Sequence, residues 1–275
     1  MDKKSNDYKN IRIANLCFLF CILFELAGIM TVLFVGTLGA QMVIYGMTFL
    51  FAFFMVKKHK EYVIPIEKPR LKTCIHAIMI SLCGMPIAML LNAFASMLSK
   101  SGMNESSDIT IYPIWLSLLC FAVVPAIVEE YVFRGVILSA MGTVNVKMAI
   151  LFSSIFFALL HFELGSVSYG FLYGLLFAVV RVSTGNLIYP VLMHFAFNGM
   201  NVALAYMHIE TFPMWVFILV FLLCIAAFFV LLTMLLRKNP VLVEKSQYRV
   251  YRYLTKEGYI TTAVCVSILI LFLMM

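Results

Sequence analysis

The amino-acid sequence predicts an all-α polytopic membrane protein, a bundle of about eight to nine transmembrane helices with a polar cavity inside the bilayer. Of its 275 residues, 64% are hydrophobic and 12% are charged, which leaves too few polar side chains to cover a soluble core of this size. The mean hydropathy is +1.02. Apolar runs of about twenty residues, the length that crosses a bilayer, recur along the whole chain.

Nine apolar segments are candidate spans, taken in order along the chain. They cover residues 13–34, 38–56, 73–97, 112–128, 147–162, 166–181, 187–206, 213–236 and 258–275. The uninterrupted apolar run in the eighth excludes an outer-membrane barrel, whose strands alternate apolar and polar residues. No linker, internal repeat or low-complexity tract divides the chain, so we expect residues 1–275 to form a single transmembrane domain.

The positions of Lys and Arg predict the orientation. If the N-terminus is cytoplasmic and every span crosses once, 19 of the 20 basic residues lie in cytoplasmic segments and only Lys100 lies outside. Basic loops are retained in the cytoplasm during insertion. The net charge of +7 is therefore explained by topology, and no nucleic-acid partner is expected. We predict an integral, multi-pass protein, in the plasma membrane if the host is a bacterium.

The fourth span is followed by the charged segment Glu129-Glu130-Tyr-Val-Phe-Arg134. In a helix, Glu130 and Arg134 lie four residues apart on one face and can form an ion pair. Glu129 points about 100° away, so it is left free to exchange protons. Taken alone, the segment is equally consistent with solvated charges at a helix end.

Polar residues also occur in the fifth and seventh spans. His161 lies in the last turn of the fifth, and His194 and Asn198 lie four residues apart on one face of the seventh. A lone intramembrane His is usually satisfied by an interhelical hydrogen bond. Because an ionisable group costs about 2.5 to 3.5 kcal/mol at mid-bilayer, the whole set is better explained by a shared cavity.

The depths of these residues predict a longer fourth span. Glu129 reaches the level of the two histidines only if this helix continues through Gly135 to about Ala140, and we expect that continuation with a kink at Pro125.

One carboxylate, two imidazoles and an amide suit hydrolysis. The carboxylate accepts a proton from water, and a His and an Asn donate hydrogen bonds to the oxyanion. The same set leaves a metal open, since Glu129, His161 and His194 could hold a divalent cation such as zinc. However, the His-Glu-x-x-His motif of zinc peptidases is absent, and the seven cysteines form no Cys-x-x-Cys pair.

Three motifs in this order carry a family resemblance: Glu-Glu-x-x-x-Arg at 129–134, Phe-x-x-x-His at 157–161 and His-x-x-x-Asn at 194–198. They resemble the CPBP intramembrane endopeptidases, the Abi family, which includes type II CAAX prenyl proteases and bacteriocin-processing or immunity proteins. The resemblance covers about residues 112–206, the expected catalytic core. It implies that Glu129 with His161 activates water, that His194 and Asn198 form an oxyanion hole, and that Glu130 and Arg134 support the site. Both metal-dependent and metal-free mechanisms have been considered for the family.

Three functions are consistent with these observations. The first is an intramembrane endopeptidase that hydrolyses a membrane-associated or lipidated peptide or protein in the lipid bilayer. The second is a non-catalytic immunity or scaffold protein of the same fold that binds a peptide or a transporter. The third is a transporter with a protonatable midplane site, which is disfavoured because no repeat or pair of broken helices is evident.

Overall fold

The computed structural model describes residues 3–58, 68–99, 108–207, 214–238 and 253–274, and these contain helices and short connections but no strand. A 3₁₀ turn, Asp108–Ile111, precedes the third helix. The helices are α1 (Lys3–Lys58), α2 (Leu71–Ser99), α3 (Ile114–Gly142), α4 (Val146–Leu159), α5 (Leu164–Thr184), α6 (Ile188–Met207), α7 (Met214–Lys238) and α8 (Lys256–Met274). Within the described ranges, all but α4 are long and apolar enough to cross a membrane, so the predicted polytopic bundle is confirmed.

Helix α1 contains the first two predicted spans, folded back at Gly36. This residue has φ 71° and ψ 175°, a conformation that favours glycine because it has no Cβ. The two arms then pack against each other, with the rings of Phe20 and Phe51 4.2 Å apart and Gly28 facing Ile44. When the arms are counted separately, each of the nine predicted spans corresponds to a helical segment.

Helix α4 is the exception to the predicted lengths. Its 14 residues extend about 21 Å, less than the roughly 30 Å of a hydrocarbon core. The helix ends at Leu159, and Phe162 has a positive φ of 53° in the turn that leads to α5. The fifth predicted span was therefore too long at its C-terminal end, and His161 lies in this turn and not in a last helical turn.

Helix α3 continues to Gly142, which confirms the predicted extension of the fourth span. It contains two π-helical segments, Leu119–Val123 and Tyr131–Ile137. The first ends two residues before Pro125, whose missing N–H cannot complete a regular α-helical ladder. The irregularity expected at Pro125 thus occurs as a wide turn just before it. Such turns are frequent at functional sites.

One end of the bundle, the basic end, gathers the N-terminus of α1, the C-terminus of α3 and the N-terminus of α8. Arg12 forms a 2.9 Å ion pair with Glu257, and the Asn10 side chain donates to Thr143 at 2.9 Å. The positions of Lys and Arg in the sequence also predicted that these three segments lie on the same side of the membrane.

The opposite end, the Gly36 end, gathers the turn of α1, the start of α3 and the end of α6. Thr37 and Tyr112 are joined by a 3.1 Å hydrogen bond, and Tyr206 bonds to Ser117 at 2.8 Å. Tyr206 also donates to the carbonyl of Tyr112. The described contacts therefore group the ends of α1, α3, α6 and α8 as the alternating crossings predict.

The buried side chains form two clusters with the polar residues between them. One contains residues of α1, α3, α4 and α8, including Phe18 and Phe156, which stack with centroids 4.1 Å apart. The other contains residues of α2, α5, α6 and α7, including Tyr173 and Phe197 at 4.1 Å. Because α3 and α6 line the boundary, their polar side chains meet there.

Gly174 tests the close crossing of α4 and α5. A Cβ at this position would meet the Cα and carbonyl oxygen of Ser154 at 3.1 Å, so a larger residue must push two backbones apart. We expect Gly174→Val to lower the free energy of unfolding by about 1–3 kcal/mol, measured by thermal unfolding in detergent. Gly46→Val is the matched control, since a Cβ at Gly46 meets no atom within 4 Å. Equal loss in both variants would contradict this packing argument.

Candidate functional site

A cavity of about 150 Å³ lies between the two clusters. All four residues expected to be catalytic line it: Glu129 from α3, His161 from the turn after α4, and His194 and Asn198 from α6. The remaining lining side chains include Gln41, Tyr45, Phe121, Pro125, Tyr169, Tyr173, Phe177 and Asn201. Three segments far apart in sequence thus bring their polar groups to one space.

Glu130 and Arg134 form the ion pair expected from their spacing. Arg134 Nη1 lies 2.9 Å from Glu130 Oε1, and both side chains are fully buried. Nη2 donates to the carbonyl oxygen of Gly174 at 3.0 Å, and the guanidinium lies 4.3 Å from the centroid of Phe157 and 5.3 Å from that of Phe177. These contacts compensate in part for removing the charge from water.

The same oxygen of Glu130 holds His194. His194 Nδ1 lies 3.0 Å from Glu130 Oε1. A carboxylate paired with Arg134 can only accept, so Nδ1 carries the proton of this bond. The other ring nitrogen, Nε2, then faces Glu129, with its Oε2 at 3.9 Å. Glu130 therefore fixes the orientation of His194.

Glu129 has one engaged and one free oxygen. Oε1 accepts a 2.9 Å hydrogen bond from the Tyr45 hydroxyl. Oε2 is buried and has no hydrogen-bond partner in the described part of the chain. An ionised carboxylate oxygen in this position is available to accept a proton or a hydrogen bond from a molecule in the cavity.

His161 is oriented by the helix it follows. Its Nδ1 lies 3.1 Å from the carbonyl oxygen of Phe157, which can only accept, so Nδ1 donates. The lone pair of a neutral ring is then on Nε2. Gly170 lies beside the ring, where a Cβ would be in ordinary van der Waals contact with Nδ1 at 3.8 Å.

Five further residues with polar groups line the cavity outside the three motifs: Gln41, Tyr45, Tyr169, Tyr173 and Asn201. Their spacing was a signal. Gln41 and Tyr45 are four residues apart in an otherwise apolar arm of α1, and Asn201 follows Asn198 by three residues.

The described donor set does not fit a metal centre. No group of three His, Cys, Asp or Glu side chains within the described residues is placed to hold a cation. We therefore derive no step through zinc or another metal.

The buried pair can be compared with an exposed pair of the same chemistry. Arg134→Met leaves Glu130 buried without its cation, and we expect a loss of about 3–5 kcal/mol in unfolding free energy. Arg12→Met breaks an Arg–Glu pair of equal length, 2.9 Å, but Arg12 is 54% exposed, so the expected loss is about 0–1 kcal/mol. Adding Glu130→Gln to Arg134→Met should restore part of the loss, as measured by thermal unfolding. A double variant less stable than Arg134→Met alone would argue against an unpaired charge as the cause.

Residues 111–200 match a protein-family model described as Type II CAAX prenyl endopeptidase Rce1-like. The matched range includes all three motifs, Glu129 to Arg134, Phe157 to His161 and His194 to Asn198, and this confirms the resemblance inferred from them. No curated protein and no solved structure matches the chain.

Proposed function

We propose that this protein is an intramembrane endopeptidase that hydrolyses a peptide bond of a membrane-associated or lipidated substrate, with Glu129 as the base that activates water. One observation carries the proposal. Glu129, whose buried Oε2 has no hydrogen-bond partner among the described residues, lines one cavity with His161, His194 and Asn198, within the segment that matches a prenyl endopeptidase family.

In the first step, water attacks the scissile carbonyl carbon and gives one proton to Glu129 Oε2. Tyr45 holds Oε1, so the carboxylate cannot rotate freely, and the attacking water is placed at the other oxygen. The Nε2 lone pair of His161 accepts the second hydrogen of this water as a hydrogen bond and orients it. The product of this step is a tetrahedral intermediate with one negatively charged oxygen.

The oxyanion is stabilised by the side-chain N–H of Asn198 and by Nε2–H of His194. Since Nδ1 of His194 already donates to Glu130, donation from Nε2 requires the imidazolium. In this scheme the charges of the imidazolium and of Arg134 offset those of the two carboxylates, Glu129 and Glu130. Donors fixed before the reaction are the most effective kind of transition-state stabilisation.

In the second step, Glu129 returns its proton to the amide nitrogen as the C–N bond breaks. The initial products are a carboxylic acid and an amine, and the proton on the acid then passes to the amine to give a carboxylate and an ammonium group. The four side chains regain their initial charges. Glu130 and Arg134 touch no reacting atom in this scheme and act by positioning His194.

The size of the cavity agrees with this chemistry. About 150 Å³ accommodates a peptide group and water but is smaller than the roughly 300–1,000 Å³ of pockets that enclose a drug-sized ligand. The remainder of a substrate would therefore lie outside the cavity, along the surface of the bundle or in lipid.

Glu129→Gln tests the base directly. The amide keeps the shape of the side chain but cannot accept the proton, so we expect processing to fall by about 10²–10⁴-fold at unchanged membrane abundance. The measurement is mass spectrometry of membrane-associated and secreted peptides from cells that carry either chain. Glu163→Gln is the control, because Glu163 is exposed and its carboxylate bonds to Ser166 outside the site.

Cleavage that persists in Glu129→Gln would exclude this mechanism. If neither chain shortens any peptide, yet Glu129→Gln restores the phenotype of a deletion strain, the protein binds its partner without cutting it.

Variants of Asn198 can distinguish a role in hydrogen-bond donation from a role in packing. Both Asn198→Ala and Asn198→Asp remove the amide N–H, so we expect each to lower kcat by about 10²–10³-fold. A role in packing alone predicts that the nearly isosteric Asp variant retains most activity. Steady-state cleavage of an identified peptide, with KM measured beside kcat, distinguishes the two.

A further inference from the structure

We infer that the site is reached from the Gly36 end of the bundle and that this end faces away from the cytoplasm. The substrates are then peptides or chain segments presented at the non-cytoplasmic face of the membrane, and not prenylated C-termini in the cytosol. That these peptides are substrates rests on the proposed function. The direction from which they reach the site is argued from separate observations.

The cavity becomes more exposed toward the Gly36 end. His194 is 4% exposed, Asn198 is half-buried and Asn201 is exposed, and these three residues follow one face of α6 in the direction of Tyr206. Tyr206 bonds to residues at the Gly36 end. The wall of the cavity formed by α1 also extends toward this end, since Gln41, which lines the cavity, lies only five residues from Gly36.

The cavity is closed toward the basic end. Between the reacting groups and that end lie Arg134, Phe133, Phe156, Phe177 and Met193, all of them at most 1% exposed. Arg134 is fixed among them by its bonds to Glu130 and Gly174 and by two aromatic rings. A peptide from the basic end would have to displace this buried layer.

The charges of the two ends assign the faces of the membrane. In the described residues, the helix ends that meet at the Gly36 end carry no Lys or Arg, whereas Lys9, Arg12, Lys57, Arg70 and Lys238 lie at helix ends on the basic side. The alternating crossings predicted from the sequence assign 19 of its 20 basic residues to the same side. Because basic segments stay in the cytoplasm, the Gly36 end is the outer one.

Site-directed labelling tests the direction of access without relying on activity. Single cysteines are placed at Asn201, at Thr110 and at Lys57 in a chain whose seven native cysteines are replaced by Ala. Intact cells are treated with a membrane-impermeant maleimide, before and after permeabilisation. We expect Asn201→Cys and Thr110→Cys to be labelled in intact cells and Lys57→Cys only after permeabilisation. Labelling of Asn201→Cys only after permeabilisation would overturn the inference.

A second measurement keeps the native cysteines, in case the replaced chain does not fold. Helix α8 leaves the basic end at Lys256, where Glu257 pairs with Arg12, and runs toward the other face. Alkaline phosphatase fused after Met274 should be active, because this enzyme folds only outside the cytoplasm. An inactive fusion present at normal abundance contradicts the assignment of faces.

Peptides added outside intact cells distinguish failure of access from failure of function. Cleavage by the wild-type chain and none by Glu129→Gln supports both proposals. Outer labelling of Asn201→Cys without any cleavage supports the direction of access and counts against the endopeptidase. Cleavage confined to peptides inside the cell supports the endopeptidase and overturns the direction of access.

Discussion

The buried carboxylate of Glu130 is the interaction on which the rest of the site depends. One of its oxygens binds Arg134 at 2.9 Å and His194 at 3.0 Å, and so joins α3 to α6 in a place without solvent. In a medium of low polarity an unpaired carboxylate has a high free-energy cost. Loss of either bond would therefore destabilise the fold, and the two bonds fix the relative positions of α3 and α6. The Gly174 carbonyl connects Arg134 to α5, so three helices are held through two charged side chains.

This constraint leaves Glu129 distinct from its neighbour. Adjacent residues on a helix point in directions about 100° apart. Glu130 is therefore directed into the ion pair, while Glu129 lines the cavity. One oxygen of Glu129 accepts from Tyr45, and the other has no hydrogen-bond partner in the part of the chain that the structure describes. Two carboxylates next to each other in sequence thus make separate contacts, one within a buried ion pair and one in the lining of the cavity.

The departures from regular helix also serve the site. The short α4 ends inside the bundle, so the turn that follows carries His161 to the cavity and not to the membrane surface. In α3, the π-helical segment Tyr131–Ile137 contains Arg134 and directly follows Glu130. A close crossing at Gly174 brings α5 near enough for its carbonyl to reach Arg134. Polar groups in a membrane must find partners within the protein, and these irregularities supply them.

The sequence by itself determined the membrane class, the nine helical segments, the ion pair between Glu130 and Arg134, and the length of α3. These features depend on local composition and on spacing along one helix, which a single chain displays directly. The alternation of basic and non-basic segments was also evident from the sequence, because it depends only on the positions of Lys and Arg along the chain.

Only the tertiary structure decided which side chains meet. The bond from His194 to Glu130, the hydroxyl of Tyr45 on Glu129 and the presence of Gln41 and Asn201 in the cavity join segments up to 160 residues apart. Contacts between helices follow from their packing, and neither hydrophobicity nor motif spacing encodes that packing within a short window of sequence.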